Sequence, residues 1–300
     1  MITVPEGIIP PLLRATRANR IFTSEVQARR HIRQRALRPH SYGPPSRLGS
    51  GVHVDVGERH GRPVYTVTPT AKEPRGAIVY VHGGAWVNEI VSQHWRLAAQ
   101  LASECGARVI LPIYGLVPFG TADDALQLVK ELILDSLDRY GATCLAGDSA
   151  GGQIALSTVQ VLRGEHGMTL PRTTLISPAL DLTWSNPEIP VVQPTDPWLA
   201  TPGGRVFAEH WRGERDLLHP VVSPLAGSMA GLGPLSIFTG TRDVLNPDAR
   251  LLRDEAHKAG VDVTFHEGVG QVHVYPLLPT ARGRSMRQLL ATELREALEA

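Results

Sequence analysis

Only two cysteines, Cys105 and Cys144, occur in the 300 residues, and each sits in an apolar stretch. The pattern reads as two buried thiols rather than a disulfide and matches a reducing compartment, so a cytoplasmic location is expected. Net charge is equally scarce: 30 Lys and Arg oppose 29 Asp and Glu, a formal +1. Such a balance exerts no global pull on nucleic acid and gives no sign of an acidic substrate. No apolar run reaches the length of a transmembrane helix, so no stable membrane insertion is expected. The opening stretch, MITVPEGIIPPLL, has no positive region ahead of its apolar residues and carries Glu6 and three prolines. No signal peptide is read there. Repeats and low-complexity segments are lacking as well. What is present, 42% hydrophobic and 20% charged residues, is ample for a large buried core, in one big α/β domain or two small ones.

Residues 5–36 read as two helices divided near Phe22–Ser24, followed by the linker RPHSYGPPSRLGSG, rich in Pro, Gly and Ser. From about residue 51 strands begin: VHVDV, PVYTVTP and the continuous apolar run GAIVYVHGG. Helix and strand then alternate through SQHWRLAAQLASECG, RVILPIY, a helix that Thr121 can cap, ATCLAG, a further helix and TTLISP. An irregular stretch bearing Trp and Pro covers 181–220. After it come PLSIFTG, a helix opened by Asn246 and Pro247, VDVTFH, a loop and a last helix striped by Met286, Leu290, Leu294 and Ala297. This alternation predicts a mostly parallel sheet covered on both faces, with ligands beyond the carboxyl ends of its strands.

Within that alternation LAGDSAGG, residues 145–152, stands out. Gly147-Asp148-Ser149-Ala150-Gly151 fits G-x-S-x-G between a strand and a helix, where a sharp turn exposes the serine as a nucleophile. Residues two positions either side are crowded in such a turn, which explains Gly147 and Gly151. By itself the match also fits an ordinary glycine-rich turn. A phosphate loop is a poor competitor, since no Lys-Ser/Thr follows. VYVHGGAW adds a second element: His82-Gly83-Gly84 after the third strand can present backbone N–H groups to a carbonyl oxygen that becomes an oxyanion. Those donors are assigned to Gly83 and Gly84, joined by Ala150, with His82 anchoring the loop.

A serine hydroxyl needs a base. Of twelve histidines, position leaves His273, in the glycine loop after the last strand. His266 is read as a solvated strand residue. The third member, which holds the imidazole's tautomer, is assigned to Asp243 in the loop after PLSIFTG. Asp248 is read instead as a helix-dipole charge. Asp148 is expected to point away from the nucleophile's pocket. The order Ser149, Asp243, His273 is the α/β-hydrolase order.

On these motifs the chain resembles the hormone-sensitive-lipase-like branch of α/β-hydrolases, bacterial esterases marked by HGGG and GDSAGG. The resemblance covers roughly residues 75–280. It implies an α/β-hydrolase fold, a mostly parallel central sheet flanked by helices with a helical cap, and a carboxylic ester hydrolase with no metal or organic cofactor. The cap would comprise residues 1–50 and 181–220, and the core 51–180 and 221–300. A small-molecule ester is the expected substrate, of short to medium acyl length, and a homodimer is compatible. Two departures stand out: HGGAW in place of HGGG plus an aromatic, and YGLVPF where relatives carry YRLAPE. HGGAW is similar also to the HGG-x-W of arylformamidases, leaving an amidase or formamidase as an alternative. A receptor on the same scaffold ranks lower because His273 is present. Trp86, Trp184, Trp198 and Trp211 are candidates for an apolar substrate wall, or else pack the cap onto the core. Eight arginines against the single acid Glu25 in residues 14–38 read as a solvated cap face.

Overall fold

Continuous apolar runs become the middle of a single sheet. The structure, a computed structural model, describes residues 3–46, 48–49, 51–71 and 73–300. Met1, Ile2 and the linker residues Arg47 and Ser50 lie outside the described residues, as does Lys72. Eight strands, β1 (Val52–Arg59), β2 (Arg62–Pro69), β3 (Ala77–Val81), β4 (Arg108–Pro112), β5 (Thr143–Asp148), β6 (Thr173–Ile176), β7 (Leu235–Gly240) and β8 (Val263–Gly268), pair in the order β1-β2-β4-β3-β5-β6-β7-β8. Strands β3 to β8 are mutually parallel, while β2 runs antiparallel to both β1 and β4. Every residue of β3, β5, β6 and β7 is buried, as strands covered on both faces must be.

The helices are α1 (Ile9–Ala15), α2 (Glu25–Leu37), α3 (Ser92–Cys105), α4 (Ala122–Tyr140), α5 (Ala150–His166), α6 (Ile189–Val192), α7 (Thr201–Trp211), α8 (Asn246–Lys258) and α9 (Ala281–Glu299). Successive side chains of a strand point to opposite faces, so Ile78 and Tyr80 join α3 and α9 in one core. Ala77, Val79 and Val81 join α4, α5 and α8 in the other. Thr121 caps α4: its N–H donates to the Asp124 carboxylate (3.0 Å) and its hydroxyl accepts from the Asp124 N–H (3.4 Å). Such a cap is worth about 1 kcal/mol. Both cysteines are free and buried, and burial pushes each thiol up to about 12. Among the described residues no helix is long and apolar enough to cross a membrane.

Three expectations need correction. The first N-terminal helix stops at Ala15, because Arg17 turns to a positive φ (51°) and the chain proceeds in turns to Phe22. The stretch 181–220 is less irregular than it reads, since it holds α6 and α7. Gly203 and Gly204 disguise α7, yet both are required by close approach. A Cβ on Gly203 would overlap the Phe22 backbone, and one on Gly204 the Trp184 indole. Helix α7 thereby seats against the N-terminal segment, with Phe22 edge-on to Phe207 (5.5 Å between centroids) and α2 alongside. Finally, His266 is not a solvated strand residue: it bonds Glu293 of α9 (2.6 Å) and lies on the Phe238 ring.

Candidate active site

Three turns at strand carboxyl ends bring together the three groups singled out by motif and loop position. Ser149, between β5 and α5, has φ 53° and ψ −117°. Such a conformation costs a non-glycine residue about 1–3 kcal/mol and persists only when its surroundings hold it. Here the Ser149 N–H donates to the Ile176 carbonyl (2.8 Å), and its carbonyl accepts from Ala179 (3.1 Å). A Cβ on Gly147 would overlap the Gly151 carbonyl, and one on Gly151 the Val81 carbonyl. The small residues of LAGDSAGG clear room for the turn.

His273 lies after β8, with Nε2 3.0 Å from Ser149 Oγ and Nδ1 2.8 Å from Asp243 Oδ2. Asp243, in the turn after β7, is fully buried, and its other oxygen accepts the Leu245 N–H (3.0 Å). With its proton on Nδ1, toward Asp243, the imidazole leaves Nε2 free to accept the serine proton. Burial alone would lower the His273 pKa. The charges of Asp243, Asp196 and Asp148 outweigh it, and the net value lies above the ordinary 6.5.

Asp148 has a task that its position next to Ser149 does not reveal. Its carboxylate turns beneath the HGG loop, where Oδ1 accepts from the Tyr80 hydroxyl (2.6 Å) and the Gly83 N–H (2.9 Å). Oδ2 meets His94 Nε2 (3.3 Å), and His94 Nδ1 accepts the Val91 N–H (3.0 Å). Burial opposes the Asp148 charge, but these partners overcome it and hold the carboxyl below the usual range. In the sequence His94 reads only as a helical residue. Its one signal is a histidine in register with the buried stripe Ala98, Leu101 and Cys105 of α3. His82 does anchor the loop: Nδ1 donates to the Gly83 carbonyl (2.7 Å), and the ring stacks on Tyr114. Burial, aided by His94, lowers its pKa to about 4, so the ring is neutral.

This network corrects one assignment. The Gly83 N–H is committed to Asp148 and is not available to an oxyanion. The N–H groups of Gly84 and Ala85 have no acceptor among the described residues. Ala150, the first residue of α5, has no carbonyl one helical turn earlier to bond. The segment YGLVPF braces the same loop, with the Tyr114 hydroxyl on the His82 carbonyl (2.9 Å) and the Val117 N–H on the Trp86 carbonyl (2.8 Å).

The tryptophans divide. Trp86 (3% exposed) and Trp211 (0%) stack at 5.8 Å, and both indole N–H groups donate to Gln153 Oε1, at 3.2 and 2.8 Å. Trp184 packs on Gly204. None of these three lines the cleft over Ser149; they pack the insertion onto the core. Trp198 does line it, edge-on to His273 at 5.9 Å between centroids. The cleft holds about 430 Å³, with Ile21, Phe22, Val91, Leu199 and Leu277 among its apolar walls. Asp248 stands in the first turn of α8, as its place in the sequence suggests, but it does not face solvent. It is buried against Asn186 (2.7 Å), and burial pushes its carboxyl up to about 7.

A serine poised beside a buried His–Asp pair, at the carboxyl edge of a parallel sheet, can be activated for attack on a carbonyl. The α/β hydrolase fold family matches this chain over residues 78–277. An acetyl-hydrolase of Streptomyces hygroscopicus is 34% identical over 224 residues, covering 72% of this chain and 74% of the relative. A triacylglycerol lipase of Mycobacterium tuberculosis is 31% identical over 242 residues, which span 78% of this chain and 50% of that lipase. Among solved structures, an esterase from the bacterial hormone-sensitive lipase family superposes with a TM-score of 0.81 at 22% identity, covering 99% of this chain and 100% of that one. The chain belongs to the α/β-hydrolase family, as a hydrolase of the serine carboxylesterase and lipase-like kind.

Proposed function

We propose that this enzyme hydrolyses carboxylic esters of short to medium acyl length through an acyl-enzyme on Ser149. His273 takes the Ser149 proton as Oγ attacks the ester carbonyl, and Asp243 steadies the imidazolium. The N–H groups of Gly84, Ala85 and Ala150 receive the oxyanion. Its collapse expels the alcohol, which leaves with the proton from His273. Water then attacks the acyl-enzyme by the same route and restores Ser149. The observation that carries this reading is the continuous line from Ser149 Oγ through both His273 nitrogens to Asp243, at 3.0 and 2.8 Å. In support of the donor set, these three N–H groups have no competing carboxylate, unlike that of Gly83.

The acyl-length reading rests on the cleft. At about 430 Å³ it lies toward the small end of ordinary ligand pockets, and its walls are largely apolar. The acetyl-hydrolase name of the Streptomyces relative points the same way. The N-terminal helices and the 181–220 insertion act as the cap in this reading, with Trp198 as its wall over the base. The test is hydrolysis of p-nitrophenyl acetate, butyrate, octanoate and laurate by wild type and Ser149→Ala. Turnover that peaks between acetate and octanoate, and falls by several powers of ten in the variant, is expected. Folded wild type that is inert on all four, yet cleaves formyl-anilides, would replace this reading with the amidase one.

A further inference from the structure

Asp196, in the insertion just before Trp198, is 7% exposed and makes three hydrogen bonds to backbone N–H groups. Oδ1 accepts from Trp198 (2.7 Å) and Leu199 (3.0 Å), both of which line the cleft. Oδ2 accepts from Val244 (2.8 Å), the residue that follows Asp243. One carboxylate therefore ties the insertion to the turn that carries the partner of His273. Resting on the ester-hydrolase reading above, we propose that Asp196 is a positioning residue of the reaction. It holds the Asp243 turn and the Trp198 wall in register about His273, and its charge adds to that of Asp243 in favouring the imidazolium.

The physical case has two parts. Ordering an insertion against an active-site turn takes a directional contact, and a carboxylate bonded by three N–H groups is both directional and internally satisfied. The second part is electrostatic. Three carboxylates act on His273, each from a different element: Asp243 after β7, Asp148 at the end of β5, and Asp196 from the insertion. Burial and the charge of Asp243 push Asp196 up to about 6, against its three N–H donors. Above that range Asp196 is ionised, and its field reaches the imidazole.

Asp196→Asn keeps the shape, removes the charge, and turns one acceptor into a donor facing an N–H. Expected on p-nitrophenyl butyrate are a kcat lowered about 10- to 100-fold with KM within a factor of about two, the cost of a slightly misplaced base. The acid limb of kcat/KM should move down by about 0.5–1 pH unit, since removing a negative charge lowers the His273 pKa. Asp196→Glu should return the limb toward its wild-type position. Asp196→Ser, a second neutral variant, carries the same predictions if the asparagine variant fails to fold. A purely structural role would lower activity or Tm and leave the limb in place, which overturns the proposal. Wild-type kcat and limb in both neutral variants overturn it too, while leaving the ester-hydrolase reading intact. Wild type inert on every ester removes both together.

Discussion

Gln153, four residues after Ser149 on α5, offers the sharpest test of the packing around the nucleophile, and almost none of it meets solvent (1%). Its Oε1 accepts both buried indole N–H groups, Trp86 at 3.2 Å and Trp211 at 2.8 Å. Its Nε2 donates to the Val221 carbonyl (2.7 Å) and lies 3.1 Å from Ser157 Oγ. Gln153→Leu nearly preserves volume, so little cavity cost arises, but it strands two buried donors. Each unsatisfied buried group costs about 1–3 kcal/mol, for a total of about 2–6 kcal/mol. The Val221 carbonyl keeps the Ser157 hydroxyl (3.1 Å) and adds little. The loss should appear in urea unfolding as a lowered midpoint with unchanged slope, and, at about 2 °C per kcal/mol for a chain this long, as a Tm reduced by roughly 4–12 °C. Trp86 adjoins Ala85 and Trp211 belongs to the insertion, so kcat should fall alongside stability. A loss below about 1 kcal/mol would mean that the indoles find other acceptors, and the claim that Gln153 joins nucleophile helix, loop and insertion would be refuted.

Other consequences are equally concrete. Because the His273 pKa is raised, the neutral base appears only above the ordinary imidazole value, so kcat/KM should fall on acidification with a midpoint above pH 6.5, and a midpoint below it would contradict the charge balance around the ring. Gly204→Ala should destabilise by about 1–3 kcal/mol through overpacking against Trp184, measurable as a lower urea midpoint, with the p-nitrophenyl ester profile reporting any shift of α7. Asp248 has a folded-state pKa of about 7 against an ordinary 3.8, so the folded protein binds the extra proton and loses stability as pH rises from about 4 to 7. Asp248→Asn should therefore raise stability at pH 8 by roughly 1–3 kcal/mol and flatten its dependence between about pH 4 and 7, as followed by thermal melts. An unchanged melt at that pH would mean that Asp248 is not buried as described.

Much of the fold could be read along the chain because its signals are local. The continuous apolar run at 77–81 marks a strand covered on both faces, and GDSAGG marks a turn so crowded that only small neighbours fit. The G-x-S-x-G motif and loop positions after strands singled out Ser149, Asp243 and His273, and His273 lies within hydrogen-bond reach of both the others. The direction of a single buried side chain is another matter, because its partners come from distant elements. Asp148 chooses Tyr80, Gly83 and His94 over any neighbour in sequence, and that choice takes the Gly83 N–H away from the oxyanion assignment. Helix α7 was hidden by the very glycines that let it approach Phe22 and Trp184. The four tryptophans look alike in the sequence, yet packing puts Trp86, Trp184 and Trp211 in the interior and leaves Trp198 on the cleft. Periodicity and turn chemistry are set by residues a few positions apart, so the sequence determines the sheet, its order of elements and the nucleophile's turn. Hydrogen-bond partners and cleft walls depend on which elements meet, and only the tertiary structure decides that.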